Sequence, residues 1–96
     1  MKKYEITFIV RPDLEENAVA AVAETMKNIL TTNNSKVVEE KALGQKEMAY
    51  EMKKYKNGIY YFFVVEASNA DAINEFDRLA TLNEDILRHL VIRVEA

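Results

Sequence analysis

The chain has 96 residues, 49% of them hydrophobic and 30% charged, with a net charge of −3, which is the composition of a single soluble globular domain with one modest core. It contains no cysteine, and that excludes a disulfide framework, a thiolate metal site and a cysteine nucleophile. No apolar run approaches the roughly 20 residues that span a bilayer, and the basic start Lys2-Lys3-Tyr4-Glu5 leads into no signal-peptide core, so a cytoplasmic protein is expected.

Residues 4–10 alternate, with Tyr4, Ile6, Phe8 and Val10 on one side and Glu5, Thr7 and Ile9 on the other, as in a half-buried strand. Arg11-Pro12-Asp13 ends it, because proline cannot donate to a ladder. Asp13 with Glu16 has the spacing of a capping box. From residue 14 to about 30, Ala18, Val19, Val22, Met26, Ile29 and Leu30 recur at helical spacing with no glycine or proline between them. A polar loop, residues 31–35, follows.

Residues 36–52 predict a long irregular strand whose apolar positions keep no single parity, with a bulge near Gly44. Its charges suit an edge strand. Lys56-Asn57-Gly58 predicts the hairpin turn, Asn-Gly being the strongest short signal of one. Residues 59–67 are the most β-prone stretch and belong at the sheet centre. Ser68 and Asp71 suggest a second capping box before a helix over residues 70–82, with Ile73, Phe76, Leu79 and Ala80 as its apolar stripe. Residues 86–94 predict a last strand. There the apolar count favours burying Ile86, Arg88, Leu90, Ile92 and Val94, although the alternate set is not clearly a surface.

The order β-α-β-β-α-β predicts an α+β fold: one ferredoxin-like domain over residues 1–96, with a four-stranded antiparallel sheet and both helices on one face. The other face is then open. It would expose Ile9, Tyr60, Phe62 and Val64, more apolar surface than isolated residues explain, and so predicts a protein partner.

Catalysis has no visible constellation. His89 is the only histidine and has no second ligand spaced for a metal. Glu15-Glu16 and Glu39-Glu40 are adjacent pairs, which point apart on any regular element. Two glycines, Gly44 and Gly58, cannot build a phosphate loop. No enzyme activity, cofactor, metal or small-molecule substrate is expected. Charge is more informative: Lys41 to Lys56 carries five lysines against two glutamates, a local +3 in an acidic chain. Such a face can meet phosphates while the remainder stays acidic.

Lys56 to Phe62 loosely resembles the aromatic third strand of an RNA-recognition motif, but the first strand offers Glu5, Thr7 and Ile9 outward and no aromatic, so only Tyr60 and Phe62 could stack bases. A second resemblance covers essentially the whole chain. Gly44-Gln45-Lys46-Glu47-Met48-Ala49-Tyr50-Glu51-Met52-Lys53 resembles the signature of the bacterial small-subunit ribosomal protein S-six family, with methionines at its leucine and isoleucine positions. The opening Lys2-Lys3-Tyr4-Glu5, Pro12-Asp13-Leu14, and the ending Leu87-Arg88-His89-Leu90-Val91-Ile92-Arg93 are similar to the family as well. The resemblance implies a structural ribosomal protein in the cytoplasm. It would bind the central domain of small-subunit ribosomal RNA as a heterodimer with the basic ribosomal protein S-eighteen. On that reading Lys46, Lys53, Lys54 and Lys56, with Lys2, Lys3, Arg88 and Arg93, are the expected phosphate contacts, and Ile9, Tyr60, Phe62 and Val64 face the protein partner. The alternatives are a homodimeric ferredoxin-like domain that binds a ligand or acts as an enzyme, and a single-strand RNA binder using Tyr60 and Phe62.

Overall fold

An alternating first strand places Tyr4, Ile6, Phe8 and Val10 on one side, and that side decides where the helices sit. The computed structural model describes residues 2–94, the side chain of Met52 aside. The elements are β1 (Lys2–Val10), α1 (Glu16–Thr32), β2 (Ser35–Met52), β3 (Tyr55–Ala67), α2 (Asp71–Leu82) and β4 (Ile86–Val94). The strands form one antiparallel sheet in the order β2-β3-β1-β4. This is the predicted ferredoxin-like fold, with β2 and β4 as edges.

Tyr4, Ile6, Phe8 and Val10 of β1 and Phe63 and Val65 of β3 pack against Val19, Val22, Met26 and Leu30 of α1 and Ile73, Phe76 and Ala80 of α2. Both helices therefore cover the same face. Phe8 is central: the rings of Phe63, Tyr61 and Phe76 lie 5.2, 5.4 and 6.0 Å from its own. Full burial of each such side chain is worth about 1.5–3 kcal/mol.

Neither predicted capping box forms. Glu15 caps α1 and Ala70 caps α2, both without a side-chain cap bond. The Asp13 carboxylate accepts instead from Tyr55 and Arg11. Ahead of α2 the side-chain oxygen of Asn69 accepts the N–H of Asp71 at 2.9 Å, a local turn that outcompetes Ser68.

The hairpin turn is also displaced from its expected place. β2 and β3 continue past Asn57-Gly58, pairing Glu47 with Asn57, Lys46 with Gly58 and Met52 with Tyr55. Lys53 and Lys54 make the turn, with φ of 50° and 72°, the left-handed pair that a two-residue hairpin requires. Gly58 serves another purpose: a Cβ there would stand 2.1 Å from Ile9 Cγ2. The predicted irregularity at Gly44 is present, with φ +85° and a register shift between Ala42 and Gly44.

β4 corrects the apolar count. Val10 pairs with Ile86 but Ile9 pairs with Arg88, so Leu87 is an extra residue and parity flips after it. Ile86 remains in the core, while Leu90 and Ile92 are each 50% exposed. The helix side receives His89 and Val91, opposite Phe8 and Ile6. α2 supplies the reason, since His89 Nε2 lies 2.7 Å from Asp77 Oδ1 and its ring meets Phe76 edge-on.

Candidate nucleic-acid and protein interface

Residues opposite one another across antiparallel strands share a face, so the register lays out the helix-free side in rows. One row is Glu39, Val64, Glu5 and Ile92; the next is Lys41, Phe62, Thr7 and Leu90; the third is Gly44, Tyr60, Ile9 and Arg88. An apolar diagonal thus runs from Tyr60 through Phe62 to Leu90 and Ile92 on the β4 edge, with Glu39 and Lys41 on the β2 edge and Arg88 at the β4 end of the third row.

Of the four predicted partner-facing residues, Tyr60 and Phe62 are half-buried and available. Ile9 and Val64 are buried, at 7% and 6% exposure, which corrects the expectation that a monomer would expose them. Ile9 is covered because Met48 and Leu87 close over it in a small second cluster, flanked by Tyr55 and Tyr60. Leu90 and Ile92 belong to the face and were missed, because only the bulge at Leu87 reveals their parity. Tyr50, 74% exposed on the hairpin, adds a further aromatic side chain; in the sequence it stands out only as part of the Gly44–Lys53 signature.

All eight predicted cations are exposed, but the fold divides them. Lys2 and Lys3 pair with Ala67 and Glu66, and Arg93 lies opposite Tyr4, at the end of the sheet where β1 begins. Lys46, Lys53, Lys54 and Lys56 lie on the hairpin, and Arg88 lies opposite Ile9 at that same end. From Lys3 to Ile9 is six residues of strand, about 20 Å. Lys46 Nζ stands 5.9 Å from the centre of the Tyr60 ring, within cation–π reach.

Polar bonds hold the hairpin against the body. Tyr55 donates its hydroxyl to Asp13 Oδ2 at 2.7 Å. Arg11 donates to Asp13 at 3.1 Å and to Asp85 Oδ1 at 2.8 Å, and its N–H reaches the Asp85 carbonyl at 2.9 Å. Lys53 Nζ donates to the Ile86 carbonyl at 3.4 Å. The Tyr55 hydroxyl, with the Arg11 charge beside it, holds the Asp13 carboxyl below the usual aspartate value. The Asp85 carboxylate, then Tyr55, raise Arg11 further above its already high value.

Among the described residues no group of three or more histidine or acidic side chains could hold a metal, no buried polar side-chain atom lacks a partner, and no helix is long and apolar enough to cross a membrane. The arrangement is suited to binding: an apolar face beside a cationic end.

A family model described as Ribosomal protein S6 matches residues 3–93. The fold is similar to that of the crystal structure of 30S ribosomal protein S6 from Thermotoga maritima, with a TM-score of 0.91 and 23% identity over 97% of this chain and 87% of that one. With its sequence matched over residues 3–93 and its fold shared with a protein of that name, the chain belongs to the ribosomal protein S6 family.

Proposed function

We propose that the protein has a structural, non-catalytic role in the small subunit: it binds the central domain of small-subunit ribosomal RNA in the cytoplasmic ribosome, as a heterodimer with ribosomal protein S-eighteen. The observation that carries this reading is the pairing of surfaces on one sheet. Leu90 and Ile92, half exposed, continue the Tyr60–Phe62 surface, and the hairpin lysines with Arg88 lie beside it. An apolar patch of this kind on a chain of net charge −3 suits a basic protein partner. That partner would supply positive charge that this chain lacks, and the hairpin end would add its own to the phosphates.

The test mixes the purified chain, S-eighteen and a transcript of the ribosomal RNA central domain. Sedimentation should show the chain alone as a monomer and the pair as a one-to-one complex. Only the pair should bind the transcript tightly. Changing Lys53, Lys54 and Lys56 to alanine should lower the slope of log affinity against log salt by about one unit for each phosphate no longer neutralised. A tight homodimer that ignores S-eighteen would instead support the ligand-binding or enzymatic alternative. Tight binding of short oligonucleotides by the chain alone, abolished in Phe62→Ala, would support the single-strand reading.

A further inference from the structure

The turn at residues 53 and 54 breaks a local rule. Hairpin turns with both central φ angles positive favour Asn-Gly or Asp-Gly, because a Cβ is strained there. This chain places lysine at both positions, with φ of 50° and 72°, while its own Asn57-Gly58 pair lies unused in β3. Departures of this kind gather where function outweighs local preference. What the two residues bring to the turn is charge.

Lys53 is directed as well as charged. Its Nζ reaches the Ile86 carbonyl at 3.4 Å, and with Ile86, Leu87, Arg88 and Thr81 it lines a cleft of about 320 Å³ between the turn, the start of β4 and the end of α2. An ammonium has three donors, so this bond leaves two. Arg88 faces the same cleft and forms no ion pair among the described residues. His89 also lines it but is engaged by Asp77. Two cations 35 residues apart in sequence thus meet at one opening, with Lys54 beside them on the turn.

We propose, resting on the RNA-binding reading above, that this cleft holds one backbone phosphate of the bound RNA, clamped jointly by Lys53 and Arg88, with Lys54 on a neighbouring phosphate. The strained lysine turn is kept for that contact at the expense of hairpin stability.

The test sets stability against binding in the complex with S-eighteen. Lys53→Asn with Lys54→Gly installs the preferred turn, and should raise the melting temperature by about 5 °C. The same change should lower the salt slope on the central-domain transcript by about 1.5 units. Lys53→Arg with Lys54→Arg should retain binding within about twofold, since the charge stays. Arg88→Gln should weaken binding in the wild type and much less in the Asn-Gly background, as expected of residues sharing one ligand. If the Asn-Gly variant bound the transcript with unchanged affinity and slope, or if the Arg88→Gln loss were the same in both backgrounds, the clamp would be refuted while the RNA-binding reading stood. If the wild-type complex did not bind the transcript, that reading would fall and the clamp with it.

Discussion

Ile9 lies directly over Gly58, so closely that a β-carbon at position 58 would stand 2.1 Å from Ile9 Cγ2. The contact joins β1 to β3 on the side of the sheet without helices, where Ile9, Met48 and Leu87 form a core of their own. Gly58 has no left-handed φ, so its lack of a side chain serves space and not backbone freedom.

Gly58→Ala should therefore destabilise the protein by overpacking, by about 1–3 kcal/mol. Ile9→Ala alone removes a buried side chain and also destabilises. The double variant should recover part of the sum, because each change relieves the other. Urea denaturation of the four proteins checks this; strictly additive costs would show that the two residues do not press on each other.

Gly44 is the opposite case. Its φ is +85° but nothing lies within 4 Å of the place a Cβ would take. Gly44→Ala should cost about 1–2 kcal/mol from conformation alone, and Gly44→Asn less, since asparagine tolerates left-handed backbone. At Gly58 asparagine should be worse than alanine. Thermal melts of the four variants decide whether space and conformation are separated in this way.

The Tyr55–Asp13 bond makes stability acid-sensitive. Folding lowers the Asp13 value below its ordinary 3.8, so the bond's contribution is full above that pH and is lost as pH falls through the lowered folded value. Tyr55→Phe removes the first cause of the shift. Wild type should exceed the variant in melting temperature near neutrality, and the two curves should converge as the pH falls through the lowered folded value. A gap that stayed constant down to pH 2 would assign the difference to something other than Asp13.

Exposure separates the proposed partner surface from core on the same sheet. Leu90→Asp changes a half-exposed residue on an edge strand and should move stability by no more than about 0.5 kcal/mol, while weakening the S-eighteen complex at least about tenfold. Phe8→Ala, at a fully buried position, should cost about 3–5 kcal/mol. Calorimetric titration with S-eighteen and chemical denaturation read the two effects separately. Unweakened complex formation by Leu90→Asp would move the partner to another surface.

Composition and periodicity determined the element order, the two helices, the buried side of β1 and β3 and the edge position of β2. In each of these a run of residues repeats one preference many times, as Tyr4, Ile6, Phe8 and Val10 do, and no single neighbour can reverse it. The lysine concentration on the hairpin was equally legible, because charge is a property of composition. The resemblance in Gly44–Lys53 and at both ends identified the family before any geometry was available.

Tertiary structure decided what turned on a single contact between distant segments. The turn moved from Asn57-Gly58 to Lys53-Lys54 because Gly58 had to lie beneath Ile9, a contact between strands about fifty residues apart in sequence. The parity of β4 reversed at Leu87, which placed Leu90 and Ile92 outside and His89 against α2. Both capping boxes yielded to competing bonds, Asp13 to Tyr55 and Ser68 to the turn of Asn69. Eight cations that look like one set became two groups at opposite ends of β1. A local pattern expresses the average preference of its own residues, whereas a register, a bulge or a shared cleft is fixed by one close approach between distant segments, and packing at that point outweighs the roughly 0.5–2 kcal/mol that a turn or cap preference offers.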